Sequence, residues 1–413
     1  MYTPIFYIIL WLFIFEFIFS KTLSFLNTLN WSNKLPEELK EIYDSKKYSD
    51  SMNYEKTKYC FGTISSIVWF FVMYFILLFW GFWYLYDFIS NYSTNEILVN
   101  IYFFWIILFL QTIFWLPFSY YFTFVIEEKF GFNKSSKKLF FLDTIKSLLI
   151  TIVLGWLLLS LIVWIYLKTG DNFWLYTWFV MTFFSVFIMM FYSSLIVPLF
   201  NKQTPLSEWK LRTAIEKFAI KVWFKLDNIY VIDWSKRSSK ANAYFSGFGP
   251  KKRIVLYDTL INDLTIAELV AVLAHEIGHY KKKHTLQMLF FSIIQTGIML
   301  YILWIVLKME DISYAMWSNT SSFAVWILAF GILYTPISMF FWLLWNILSR
   351  KNEYEADKFA WINYSSDKLK SALIKLSRNN LSNLRPHPLY EFFNYSHPTV
   401  LKRIDALDKI KKK

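Results

Sequence analysis

The stretch SLLITIVLGWLLLSLIVWIYL, residues 147–167, runs for 21 positions without a charged side chain. At about 1.5 Å per residue, a helix of that length covers roughly 30 Å, the hydrocarbon thickness of a bilayer. Six further stretches have the same character: residues 2–19, 64–86, 97–118, 174–200, 286–307 and 323–348, none of which contains Lys or Arg. The whole chain agrees, with 413 residues of which 56% are hydrophobic, 22% aromatic and 18% charged. Soluble domains carry about 25% charged residues. The pattern predicts an all-α polytopic membrane protein with seven transmembrane helices, and excludes a soluble domain, a disordered tail or a disulfide scaffold. The single Cys60 permits no internal disulfide. Residues 2–19 lack the basic start and small-residue cleavage site of a secretory leader, so they read as a span.

The 43 basic residues are distributed unevenly. Alternate connecting segments hold 41 on one side of the spans and 2 on the other. The rich side is cytosolic by the positive-inside rule. This orientation places the N-terminus in a lumen or outside, and the C-terminus in the cytosol. The net charge of +13 then describes a surface resting against anionic lipid, with no call for a nucleic-acid partner. Glu16, Asn100, Gln111 and Gln295 are too few and too scattered to make the proton or ion path of a transporter. Four regions follow: residues 1–200 with spans one to five, 201–285 cytosolic, 286–348 with spans six and seven, and 349–413 cytosolic.

In the first cytosolic region, residues 207–225 form an amphipathic helical pattern, and residues 228–233 and 252–257 alternate as short strands. Between them lie Asn242-Ala243-Tyr244-Phe245 and then Gly247-Phe248-Gly249-Pro250, which reads as a turn, since no strand-to-helix context makes it a phosphate loop. Thr265 and Glu268 have capping-box spacing, and the apolar helix they open continues through Lys281 to His284 toward the sixth span. Residues 349–379 read as largely helical, and a last helix starts near Pro398.

The chemistry lies in His275-Glu276-Ile277-Gly278-His279. Histidines four apart share a helix face and can hold one zinc ion, and the intervening Glu can act on the attacking water. With 5 His and 16 Glu in the chain, chance produces such a motif roughly 0.002 times. A catalytic zinc usually takes a third protein ligand. His284 is a poor one, pointing to the far side of a continuous helix, and reads as exposed or interfacial. In Glu353-Tyr354-Glu355-Ala356-Asp357 the two outer carboxylates share a face. Either can ligate while the other accepts the remaining N–H of a ligand histidine. The His motif precedes span six and the acidic motif follows span seven, so an antiparallel hairpin joins them at the cytosolic end. His397 and Arg403 are candidates to face a developing oxyanion.

These residues resemble the CAAX prenyl protease 1 family of integral-membrane zinc proteases. The resemblance runs from about Glu127 to Asp408. It rests on Glu127-Glu128-Lys129-Phe130-Gly131-Phe132-Asn133, Val197-Pro198-Leu199-Phe200-Asn201-Lys202, Ser235 to Ser239, Asn242 to Phe245, Arg253 to Leu260, the His275 motif, Ser349-Arg350 with Glu353 to Asp357, and Tyr395-Ser396-His397-Pro398. It implies a ring of seven transmembrane helices around an intramembrane chamber, with a small cytosolic zinc-protease-like part containing a short β segment. One Zn2+ per chain is implied, held by His275, His279 and Glu353, with Glu276 as general base and Asp357 supporting a ligand. His397 and Arg403 become the group facing oxyanion and substrate. Asn242 and Ala243 become the edge against which the substrate peptide is laid as an added strand. Thr399 stands where the family pattern has a second proline.

The implied reaction is removal of the C-terminal a-a-X tripeptide from a prenylated C-a-a-X protein at the endoplasmic reticulum or inner nuclear membrane, by a monomer in the lipid bilayer. Two other readings stay open: a quality-control zinc protease for membrane proteins, and a non-enzymatic binder or transporter of prenyl lipids. The tail Asp408-Lys409-Ile410-Lys411-Lys412-Lys413 fits a dilysine retrieval signal, and Asn91 and Asn319 sit in glycosylation sequons on the lumenal side.

Overall fold

Side-chain caps begin four of the helices in the first half of the chain. In the computed structural model, which describes residues 3–411 apart from 33, 36, 38–39, 41–42, 208, 226–228, 248–252 and 316–321, Thr3 accepts from the Phe6 N–H at 3.2 Å and Pro4 takes the first helical position of α1 (Pro4–Thr28). Asp44 caps α2 (Ser45–Leu78) through the Lys47 N–H at 2.8 Å, α3 (Gly81–Ser90) follows, and Asn95 caps α4 (Glu96–Tyr121). A π-helical turn, Phe122–Glu127, extends α4. Ser136 caps α5 (Lys137–Thr169), which Gly170 ends with a positive φ of 50°. A 3-10 turn at Gly170–Asn172 leads into α6 (Phe173–Phe191), and a second π-helical turn, Tyr192–Ile196, into α7 (Val197–Phe200).

Five segments are long and apolar enough to cross a membrane: Pro4–Thr28, Ser45–Leu78, Glu96–Glu127, Lys137–Phe200 and His284–Val306. A sixth is the bent pair Phe323–Leu333 and Thr335–Asn363, which turns by 56°. Seven were expected. The difference lies in Lys137–Phe200, whose 64 residues contain both α5 and α6. Large apolar side chains such as Leu157 (64% exposed) and Phe183 (74%) are left exposed on these segments. Phe103, Val163, Leu300 and Trp326 belong to one buried cluster.

The second half starts with a four-stranded sheet, β1 (Gln203–Pro205), β2 (Ile229–Ile232), β3 (Ala243–Ser246) and β4 (Arg253–Tyr257), with α8 (Trp209–Lys221) between β1 and β2. The order is β1-β2-β4-β3; β2 and β4 are parallel, and both outer pairs are antiparallel. The strands expected at 228–233 and 252–257 are β2 and β4. The Asn242 to Phe245 run supplies β3, which lies at the sheet edge and pairs on one side only. Two ion pairs fasten this sheet region to the helical bundle. Lys240 Nζ lies 2.7 Å from Glu127, which also accepts from Tyr54, and Arg237 lies 2.7 Å from Asp143.

Then come α9 (Asp258–Asp263), α10 (Ile266–Lys281), α11 (His284–Val306), α12 (Glu310–Ala315), α13 (Phe323–Leu333), α14 (Thr335–Asn363), α15 (Ser366–Asn379), α16 (Pro388–Asn394) and α17 (Val400–Lys411). The Thr265–Glu268 capping box is present at the start of α10. The continuous helix expected through His284 is not: Lys283 adopts a left-handed φ of 60°, and α11 starts afresh at His284. The helical stretch expected over 349–379 breaks at Tyr364, and Ser365 caps α15. The last helix begins at Val400, so Pro398 lies before it and not at its first position. Asn319, Lys412, Lys413 and the Phe248 to Pro250 turn lie outside the described residues.

Candidate metal centre

Helix α10 can approach α14 closely because position 278 is glycine. A Cβ there would lie 3.1 Å from Ala356 Cα, Ala356 O and Phe359 Cβ. The contact sets the His275 turn of α10 against the Glu353–Asp357 turn of α14. Leu269, Leu273 and Ile277 seal the remaining faces of α10 in the core it shares with the sheet, α8 and α15. Its first turn is anchored by Glu268, which accepts from Thr265, Ser371 and Lys375. Burial opposes that charge, but these donors prevail and hold the Glu268 carboxyl down at about 2.

At the crossing, His275 Nε2 lies 3.1 Å from His279 Nε2 and 3.4 Å from Glu353 Oε2, and His279 Nε2 lies 3.2 Å from Glu353 Oε1. These three residues are the one metal-capable group of His, Cys, Asp and Glu among the described residues. A tetrahedral zinc with ligand bonds of about 2.0–2.1 Å separates its donors by about 3.3 Å, so the spacing fits. The donor set fits as well. His275 Nδ1 faces Asp357 Oδ1 at 2.8 Å, and His279 Nδ1 faces His284 Nδ1 at 3.0 Å. With each Nδ1 committed as a donor, both Nε2 lone pairs point into the same small space. Glu353 Oε2, buried there, takes no hydrogen bond. Two imidazole nitrogens and a carboxylate oxygen without a hydrogen bond facing one another suit a divalent cation.

The field of the site points the same way. Burial disfavours a charged His275, yet the Glu353 and Asp357 carboxylates outweigh it and push the imidazole up to about 10. A metal has to displace that proton, so binding couples to pH. Burial also raises the Glu276 carboxyl above the usual carboxylate range, with the two imidazoles pulling the other way. The rise at Glu276 is in the direction that favours a general base.

Arg403 is buried and clamps Asp357 with two hydrogen bonds, of 2.8 and 2.6 Å, while its third nitrogen lies 3.3 Å from Glu353 Oε2. Its guanidinium is therefore held against the carboxylates of α14. His397 differs. Its side chain is 62% exposed, its Nε2 lies 3.3 Å from Glu353 Oε1, and its Nδ1 lies 2.9 Å from the Ser396 hydroxyl. Asn242 and Ala243 border the same cavity of about 600 Å³ as His275, Glu276, His279, Glu353 and His397. The Asn242 side chain accepts from the Ala243 N–H at 2.8 Å.

His284 is not the exposed or interfacial residue expected from the sequence. It is 4% exposed, partners His279, and passes on to Glu355 through an Nε2–Oε2 contact of 3.3 Å. The cause is the Lys283 turn, which reverses the side chain's direction. Lysine in a left-handed conformation carries no sequence mark, so only the unused third histidine hinted at this role.

Residues 25–202 match the family described as CAAX prenyl protease N-terminal, five membrane helices, and residues 205–411 match peptidase family M48. Among curated proteins, the CAAX prenyl protease 1 homolog of Dictyostelium discoideum is 35% identical over 393 residues, covering 91% of this chain and 90% of its own. The CAAX prenyl protease 1 of Saccharomyces cerevisiae is 34% identical over 409 residues, covering 92% and 90%. The crystal structure of S. mikatae Ste24p superimposes with a TM-score of 0.91 at 34% identity, covering 99% of this chain and 100% of that one.

Proposed function

The chain is a multi-pass membrane metalloendopeptidase of the CAAX prenyl protease 1 family, and on that premise we propose that it removes the a-a-X tripeptide from prenylated C-a-a-X proteins, using one zinc ion held by His275, His279 and Glu353. The observation that carries the reading is the convergence of those three ligands, with Glu276, in a cavity bordered by the one-sided strand β3. When bound, zinc supplies Lewis acidity to the scissile carbonyl and the attacking water.

The chain's own residues do the rest. The outer edge of β3 from Ala243 pairs with the substrate backbone and holds it extended. The Glu276 carboxylate takes the proton of the attacking water and delivers it to the leaving amine. The Ser396 hydroxyl donates to His397 Nδ1, leaving Nε2–H as a donor toward the developing oxyanion. Asp357 fixes His275 through Nδ1–H, and Arg403 holds Asp357; both are positioning residues.

Counting α5 and α6 as separate passes across the Gly170–Asn172 turn gives seven spans. A single 64-residue pass would be about 96 Å long, three times a bilayer core. The 41-to-2 basic split then puts the zinc residues at the cytosolic face. The purified protein incubated with a farnesylated C-a-a-X peptide is expected to release the tripeptide, chelator to abolish release, and Glu276→Gln to abolish it with zinc retained. An intact peptide in the presence of zinc-loaded protein refutes the substrate class.

A further inference from the structure

A second cavity, of about 920 Å³, opens beside the catalytic one. Met181, Phe184, Ile188 and Met189 of α6 form one wall, and Tyr244 and Phe245 of β3 the other. Met189, Tyr244, Phe245 and Thr285 line both cavities, so the two meet along the strand that borders Glu276 and the metal ligands. The lining contains no carboxylate, and Arg237, its single charged residue, is neutralised by Asp143 at 2.7 Å. The Tyr244 hydroxyl is turned to Ser193 at 3.4 Å, so its ring is what faces the space.

We propose that this cavity binds the isoprenoid chain of the substrate cysteine. The inference rests on the C-a-a-X reading above. In that reaction the attacked carbonyl belongs to the lipidated cysteine, so the thioether starts within one Cα of the scissile bond. The chain has to leave the catalytic cavity through an apolar neighbour, because keeping a branched hydrocarbon in water is unfavourable. The volume lies within the roughly 300–1,000 Å³ of small-molecule sites. A competing neighbour of about 550 Å³ adjoins the catalytic cavity at Trp345, but Glu16, Gln295 and Asn394 stand in its wall. A carboxylate and two amides are poor company for an isoprenoid, and that space lies away from β3.

The test uses the full-length protein in detergent and a C-a-a-X peptide whose isoprenoid ends in a benzophenone. Photolabelling is expected to fall within Met181 to Met189 or on Tyr244 to Ser246. Labelling of Glu16 to Leu23, Phe393 or any site outside the cavity overturns the proposal. Ser185 lines the same wall, and Ser185→Trp narrows the space. For the farnesylated peptide kcat/KM is expected to fall about tenfold, carried by KM, while the unlipidated peptide of the same sequence is processed as before. Equal losses on both peptides, or none on either, count against it. Should Ser185→Trp fail to fold, labelling of the unsubstituted protein decides. Labelling in the cavity without cleavage would sink the proteolytic reading and leave the lipid site standing. Cleavage with labelling elsewhere would do the reverse.

Discussion

Replacing His284 by alanine removes the acceptor that faces His279 Nδ1 at 3.0 Å. In the intact chain His279 Nδ1–H donates to His284 Nδ1, and His284 Nε2–H donates to Glu355 Oε2 at 3.3 Å. That relay leaves the lone pair of His279 on Nε2, the atom 3.1 Å from His275 Nε2. Without it the imidazole can change tautomer, and a buried N–H loses its partner at a cost of about 1–3 kcal/mol. Loss of an outer partner of a ligand histidine typically weakens metal affinity by about 10–100-fold. At about 1.4 kcal/mol per tenfold, the two figures agree. Zinc affinity of His284→Ala, measured by competition against a fluorescent chelator, should therefore fall about 10–100-fold, with a smaller change in kcat once zinc is saturating. His284→Gln, whose amide oxygen can accept the same N–H, should recover much of the loss. Glu355 is 40% exposed, so Glu355→Ala should cost only a few-fold. Wild-type zinc affinity in a folded His284→Ala protein would refute the relay.

Gly278→Ala forces α10 away from Ala356 and Phe359, and overpacking of this kind costs about 1–3 kcal/mol; both the melting temperature and zinc affinity should drop, and unchanged values in both would show that the crossing tolerates a methyl group. His397→Ala should lower kcat about 10²–10³-fold with little change in zinc content, as loss of an oxyanion donor does; a KM effect alone would assign it to ground-state binding instead. Glu268 is held at about 2 against its ordinary value of 4.5, so it contributes stability above pH 4.5 that is lost as the pH falls toward 2. The shift corresponds to about 3 kcal/mol at most, and Glu268→Gln should melt lower than wild type at pH 7, with the gap closing in acid. A gap that persists at pH 2–3 would mean the carboxylate charge is not what Lys375 and Ser371 stabilise.

The residues that bear chemistry were legible where their spacing was local. His275 and His279 share a helix face by arithmetic, and the Thr265–Glu268 box needs only four consecutive residues. Glu353 and Asp357 were legible as a pair, while their division of labour was not, because it depends on which carboxylate meets α10. The hidden elements depend on distant partners or on a single backbone angle. Lys283 turns the chain through a conformation that lysine seldom adopts, and with it His284 passes from the far side of one helix to the near side of another. Arg403, 128 positions from the His275 it approaches at 3.3 Å, owes its burial to the packing of α17 on α14. The break between α5 and α6 was legible too: the sequence separates the apolar stretches 147–167 and 174–200, and the structure interrupts the helix at Gly170–Asn172 between them.

Charge balance explains why a guanidinium sits behind the metal ligands. Glu276, Glu353 and Asp357 bring three carboxylates into one largely buried volume, which is tolerable only if positive charge accompanies them. Arg403 neutralises one through its two bonds to Asp357, and it also lines the cavity that holds the metal ligands. The two negative charges that remain match one divalent cation. Without the cation, the protonated form of His275 favoured up to about pH 10 recovers only half of that balance. Replacing Arg403 by a neutral residue would leave a third charge uncompensated beside the ligands. Asp357 would then draw a proton or collapse onto His275, disturbing the tautomer on which the Nε2 lone pair depends. The arginine thus acts on the metal through electrostatics and geometry together, although it presents no atom to it.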